Sequence, residues 1–272
     1  MRKNLYIRPA LLFFLISINL ISAQSLAGKL KEDAIIFGED FYTFFSAPVR
    51  FDGTDWLYTA GLTAGTLLMF QADQAVNDAV AIKGQKTLNG DFWDVPTVYG
   101  LVQYGNIAAL GGYTIGLATG DDELRAVSRV LFQSLSYSGL TVMGMRILVG
   151  RHRPYLGNGP FQFVGYTLDD NKQSFPSGHT TVAFAISTAL AEYYDNNWLR
   201  VPLYTFAAMT GYARMRNNMH WFGDVVFGAL IGIAGGVHVN MQEDKRRNGD
   251  TTPSKLSILP AANGLRFVYR LN

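Results

Sequence analysis

Six apolar stretches of helical length, broken by short polar clusters and nowhere alternating with strand-like segments, leave this chain little choice but a helical bundle. The stretches run from Trp56 to Phe70, Val98 to Thr119, Ala126 to Val149, Thr180 to Tyr194, Leu199 to Ala213 and His220 to about Val239. Runs this long suit helices rather than strands, and without strand–helix alternation there is no parallel sheet to wrap. The expected fold class is therefore all-α: a bundle of about six core helices with a functional site at one end. Composition leaves membrane embedding open. With 49% apolar and 16% charged residues and a mean hydropathy of +0.09, the chain is more apolar than an ordinary soluble domain, yet well short of a dense set of Leu/Ile-rich spans.

The two ends carry different signals. Arg2, Lys3 and Arg8 precede an uncharged run from Pro9 to about Ile21, followed by Ser22, Ala23 and Gln24, the pattern of a secretory signal cleaved after Ala23. That run is shorter than the roughly 20 residues a spanning helix needs. The expected organisation is a signal over 1–23, an amphipathic region over 24–54 with Ile35, Ile36, Phe41, Phe44 and Phe45 on its apolar side, a helical domain over 55–241, and a polar linker and tail over 242–272. Within the tail, Leu256 to Asn272 alternates loosely around Asn263-Gly264, as a short β-hairpin does. A net charge of +2 with scattered basic residues offers no nucleic-acid surface. Zero cysteines exclude disulfides and thiolate metal sites, and His152 and His238 are too dispersed to build another kind, so no metal is expected.

Three polar clusters punctuate the bundle: Arg146-x6-Arg153-Pro154, Pro176-Ser177-Gly178-His179 and Arg214-x5-His220-x3-Asp224. In an up-and-down topology the first closes one helix and the second opens the next, which turns at Asp195 to Asn197 and returns to Arg214. All three then meet at one end. Ser177 occupies an N-cap position with Gly178 and His179 in the first turn, so free backbone N–H groups and the positive helix end can face an anion. Taken alone, that motif equally describes an ordinary capped helix. His220 and Asp224, four apart on a helical stretch, can share the Nδ1 proton and leave Nε2 as a fixed lone pair, although such a pair also simply stabilises a helix. Arg146, Arg153 and Arg214 can turn to one locus, while each by itself reads as a solvated arginine. Together, guanidinium forks, a helix start and a carboxylate-oriented imidazole are what a protein needs to grip a phosphate and attack its phosphorus. The long connection from Gly150 to Phe175 belongs with such a site.

At these residues the sequence resembles the type 2 phosphatidic acid phosphatase family, whose helical core is shared with bacterial class A acid phosphatases and vanadium haloperoxidases. The family pattern is Lys-x6-Arg-Pro, Pro-Ser-Gly-His and Ser-Arg-x5-His-x3-Asp. This chain keeps the spacing from Arg146 to Asp224, with Trp221 and Gly228 also in familiar places. Two positions depart from it. Arg146 replaces a lysine's compact ammonium with a planar fork, and Ala213 removes a serine hydroxyl. The resemblance implies that Arg146, Arg153, Arg214, Ser177 and the Gly178 backbone hold phosphate. It further implies that His220 attacks phosphorus to form a phosphohistidine with Asp224 orienting it, and that His179 protonates the leaving oxygen and later helps activate water.

The activity so implied is a phosphatase without cofactor or metal, in which the arginines compensate charge as a cation does elsewhere. Vanadate would bind as a phosphate mimic. The expected substrate is a phosphorylated lipid or a small-molecule phosphate, with lipid or isoprenoid phosphates favoured. Membrane association at the cell envelope is expected, with the site outside the cytoplasm. A vanadate-dependent haloperoxidase and a non-catalytic phosphate-binding envelope protein are the alternatives. A cleaved signal followed by three spans would place the site in the cytoplasm, so an external site requires an uncleaved signal or one stretch that does not span.

Overall fold

The computed structural model describes residues 7–84, 88, 90–248, 256–261 and 264–269, with side chains described for 26–84, 88 and 90–248. In chain order its helices are α1 (Ile7–Phe45), α2 (Gly53–Met69), α3 (Asp73–Val80), α4 (Asp94–Tyr99), α5 (Val102–Thr119), α6 (Asp122–Val149), α7 (Gly178–Tyr194), α8 (Asn197–Arg216) and α9 (Phe222–Asn248). Strands β1 (Leu256–Ala261) and β2 (Gly264–Tyr269) pair antiparallel at the C-terminus, where the sequence predicts a hairpin.

Short polar residues set the helix starts. Asp52 accepts from the N–H groups of Thr54 and Asp55, and Asp55 accepts in return from the Asp52 N–H, a capping box that opens α2. Asp121 accepts from the Leu124 N–H to open α6, and Asn196 from the Trp198 N–H to open α8. Two boundaries differ from the sequence reading. The apolar stretch Val98 to Thr119 breaks at Gly100 and Leu101, so it is shared between α4 and α5. The stretch beginning at His220 becomes helical only at Phe222 and then continues to Asn248.

The chain divides into two compact units, Met1–Tyr42 and Thr43–Asn272. The first holds the body of α1, which passes Ala23 without a break; the side chains before residue 26 lie outside the described residues. In the second unit α7 packs against α6, α8 and α9, while α6 also packs against α9 and carries α5. Val127, Val130, Leu131, Ser134, Leu135 and Ser138 of α6 recur at spacings of three and four and are buried, which is the core-facing stripe of an amphipathic helix. Other apolar side chains face outward, among them Trp56 and Leu68 on α2 and Ile107, Leu110 and Ile115 on α5. Among the described residues α9 is the one helix long and apolar enough to cross a membrane, and 61% of its apolar window is buried within the protein.

The crossing of α7 and α9 is a backbone contact. A Cβ at Gly232 would stand 2.4 Å from the Thr181 carbonyl oxygen and 2.8 Å from the Ala185 nitrogen. Thr181 strengthens the crossing, since its hydroxyl lies 2.9 Å from the Ser177 carbonyl and 2.8 Å from the Gly228 carbonyl. This is what holds the start of α7 against α9. Gly232→Val should therefore force two main chains apart and cost about 1–3 kcal/mol, read as a lower melting temperature. Gly139→Ala, whose Cβ would meet nothing within 4 Å, should leave the melting temperature unchanged or raise it.

Candidate active site

The three sequence clusters lie together at the C-terminal end of α6, the N-terminal end of α7 and the junction of α8 with α9. Gly150 ends α6 in the left-handed region at φ +58, where a Cβ would stand 2.1 Å from the Gly165 carbonyl oxygen. Only glycine fits both demands. The loop that follows folds back on itself: Arg151 bridges to Phe163, the Arg153 N–H donates to Asn171 O at 3.1 Å, and the Ser174 N–H donates to Arg151 O at 2.9 Å. Arg151 and Arg153 are thereby carried inward, both buried.

Each guanidinium is held differently. Arg146 donates from Nε to the Pro176 carbonyl at 2.8 Å and lies flat on Gly178, its guanidinium atoms 3.0 to 3.2 Å from where a Cβ would be. The guanidinium thus holds the turn before α7 through one hydrogen bond while its flat face covers Gly178, a contact that a compact ammonium does not offer. Arg153 is tied to Asp170 through the main-chain oxygen at 2.8 Å and Oδ1 at 3.1 Å, and its Nη1 lies 3.3 Å from His220 Nε2. Arg214 is 1% exposed, and its Nε and Nη1 have no hydrogen-bond partner. Burial, then Arg153 and Arg146, lowers the Arg214 pKa to about 9; burial, then Arg153, lowers that of Arg146 to about 10. Buried donors and crowded cations are the chemistry of an anion site.

His220 is also 1% exposed, with Nδ1 2.8 Å from the Ser174 carbonyl oxygen. A carbonyl only accepts, so Nδ1 carries the proton and Nε2 presents its lone pair toward Arg153. Here the structure departs from the direct His220–Asp224 bond expected from the sequence. Asp224 Oδ2 stands 3.8 Å from Nδ1. Because α9 begins at Phe222, His220 precedes the helix and the spacing of four is not a helical one. Asp224 sits in the first turn instead, where Oδ2 accepts from the Trp221 N–H at 2.9 Å and from the Ser174 hydroxyl. The carboxylate therefore holds the residue whose carbonyl holds the imidazole.

His179 stands in the first turn of α7 with Nε2 buried and unpartnered. Burial, followed by Arg214, His220, Arg146 and Arg153, depresses its pKa to about 2. His220 is depressed to about 3, chiefly by burial, with Arg153 and Arg146 adding to the effect and Asp224 opposing it. Ser177 occupies the N-cap position, but its hydroxyl pairs with Thr180 Oγ1 at 2.9 Å rather than capping the backbone. Ala213 is fully buried. His152 and His238 stay apart from the cluster: His152 Nδ1 pairs with Asn158 at 3.1 Å, and His238 is a core residue 3.2 Å from Thr43 Oγ1. Among the described residues no group of three His, Cys, Asp or Glu side chains is placed to hold a metal ion.

Three residues absent from the sequence reading belong to the cluster: Ser174, Arg151 and Asp73. Arg151 donates from Nη1 to Asp224 Oδ1 at 2.6 Å and from Nη2 to Asp73. A basic pair around His152 hinted at Arg151. No local pattern marks Asp73, which is 78 positions from its partner.

Both histidines are depressed below the unfolded value of about 6.5, so between the two limits the unfolded chain binds more protons. Without an anion bound, stability should be fully present above about pH 6.5 and be lost as pH falls toward the folded values of about 3 and about 2. Thermal melts across that range should show the decline, and His179→Gln should reduce its slope by one proton's share. An unaltered slope would show that His179 does not carry the shift.

A family model described as PAP2 superfamily matches residues 128–248. The lipid A 1-phosphatase of Porphyromonas gingivalis is 47% identical over 62 residues, covering 22% of this chain and 14% of that protein. The lipid A 4'-phosphatase of Bacteroides thetaiotaomicron is 32% identical over 95 residues, covering 34% of this chain and 42% of that protein. The chain thus spans less than half the length of these curated relatives. The crystal structure of Aquifex aeolicus LpxE superposes with a TM-score of 0.42 at 20% identity, over 64% of this chain and 93% of that one. Every motif residue from Arg146 to Asp224 lies within the stretch that matches the PAP2 superfamily.

Proposed function

We propose that this chain is a metal-independent phosphatase that cleaves a lipid-linked phosphomonoester or pyrophosphate through a phosphohistidine on His220. The observation that carries this reading is the gathering of Arg146, Arg153, Arg214 and His220 around His179, with Arg153 Nη1 3.3 Å from the fixed Nε2 lone pair of His220 and two Arg214 donors buried and unpartnered. Such a site favours a multiply charged anion whose central atom stands in line with a nucleophile.

In the proposed reaction the phosphoryl oxygens accept from the three arginines and from the N–H groups opening α7. The Nε2 pair attacks phosphorus, the N–P bond forms as the P–O bond to the leaving group breaks, and His179 gives its proton to the departing oxygen. Water then attacks phosphorus while His179 takes its proton, the N–P bond breaks, and inorganic phosphate leaves. Burial, and then the surrounding arginines and His220, keep His179 neutral in the ligand-free site. A phosphoryl group of about two negative charges offsets most of the arginine field and so favours a proton on His179 as the substrate arrives.

Two features support a lipid-linked substrate and membrane association at the envelope, and a site outside the cytoplasm is proposed with them. The loop carrying Arg151 and Arg153 also exposes Tyr155, Phe161, Val164, Tyr166 and Leu168, large and mostly apolar side chains close in sequence to the buried site arginines. The matched relatives are named for phosphate removal from lipid A. Detergent-purified protein with chelator present should release phosphate from one or more of lipid A phosphates, prenyl pyrophosphates and soluble esters. His220→Ala should lower that release by roughly 10³-fold or more. Full activity in His220→Ala, or strict dependence on an added metal, contradicts the mechanism.

A further inference from the structure

We propose that Asp73 is a positioning residue of this site: through Arg151 it fixes Asp224 and keeps that carboxylate's negative charge acting on His220. The inference rests on the phosphohistidine reading above. Asp73 opens α3, lies outside the matched stretch 128–248 and is fully buried. Its Oδ1 accepts from the Gly223 N–H at 2.7 Å, immediately beside the start of α9, and its Oδ2 accepts from Arg151 Nη2. Arg151 is fully buried as well, and donates from Nη1 to Asp224 Oδ1 at 2.6 Å and from Nε and Nη2 to the Pro160 carbonyl at 2.9 and 2.7 Å. Its guanidinium lies 4.1 Å from the centroid of the Phe70 ring. The fork is therefore oriented on several sides and joins two carboxylates rigidly.

The charge count explains why two carboxylates are needed. Arg151 paired with Asp224 alone would cancel it, and His220 would face a neutral pair. With Asp73 sharing the guanidinium, the buried group retains one net negative charge next to an imidazole that becomes cationic as it bonds to phosphorus. That charge stabilises the transition state more than the resting state, which is the definition of a catalytic effect. Arg146, Arg153 and Arg214 are the phosphate-gripping groups, and the hydrogen bonds of Asp73 go to Arg151 and Gly223. A purely structural tie between α3 and the start of α9 would act on folding instead.

Steady-state kinetics on the full chain, with melting temperatures for every variant, separate these cases. Asp73→Asn should lower kcat by about 10- to 100-fold and leave KM within about twofold, since the phosphate-gripping arginines are intact. In an Arg151→Gln background, Asp73→Asn should add no further loss of kcat, because the path through the guanidinium is already cut. A wild-type kcat with a lowered melting temperature overturns the proposal, and so does a raised KM at constant kcat or a fully additive double variant. Should Asp73→Asn fail to fold, Arg151→Lys keeps the charge but gives up the simultaneous fork. Reduced kcat at unchanged KM then supports the bridge, and unchanged kcat overturns it. Wild type and His220→Ala run alongside: an inactive wild type sinks the phosphatase reading itself, whereas an active wild type, an inactive His220→Ala and a fully active Asp73→Asn sink only the role of Asp73.

Discussion

Asp224 is a carboxylate taken wholly out of water, and the local architecture follows from what must be gathered around it to make that tolerable. A buried charge without partners costs several kcal/mol, so Arg151, the Ser174 hydroxyl and the Trp221 N–H all converge on its two oxygens. Its main-chain oxygen meanwhile accepts the Ser177 N–H at 3.0 Å. One residue thus joins the long loop, the start of α7 and the start of α9. The imidazole of His220 is oriented as a by-product, through the carbonyl of the same Ser174 that the carboxylate holds.

Against that satisfied anion stands a set of three cations, of which Arg214 keeps two buried donors without a partner. Arg146, Arg153 and Arg214 lie close to one another, and burial first, then their mutual repulsion, lowers the pKa values of Arg146 and Arg214. Groups of one sign are held together only if the scaffold is stiff. The close crossing of α7 on α9, with Gly232 against the Thr181 backbone and the Thr181 hydroxyl bridging both helices, supplies that stiffness in the first turns of α7. Crowded, largely buried cations held in this way are the chemistry that favours an anion.

Much of this was legible in the chain before any coordinates. The runs of helical length imply a helical bundle, the turn at Asp195 to Asn197 brings Arg214 back beside Pro176-Ser177-Gly178-His179, and Ser177 marks the start of α7. The His220–Asp224 relation differs from the sequence expectation for a definite reason. A spacing of four implies one helical face only if the helix covers both residues, and α9 starts between them. Asp73 and Ser174 were invisible because neither sits in a pattern; their roles arise from contacts across 150 and 50 positions with Gly223 and Asp224.

Sequence by itself determined which chemical groups this protein brings to the site and at which end of the bundle they gather, because helix length, cap residues and connection order are local properties that survive without tertiary contacts. Tertiary structure alone decided how those groups are wired. Which carbonyl receives the His220 proton, which arginine keeps free donors and which distant carboxylate shares Arg151 depend on burial and on hydrogen-bond competition in a low-dielectric interior, and a buried charge chooses its partners by distance in space.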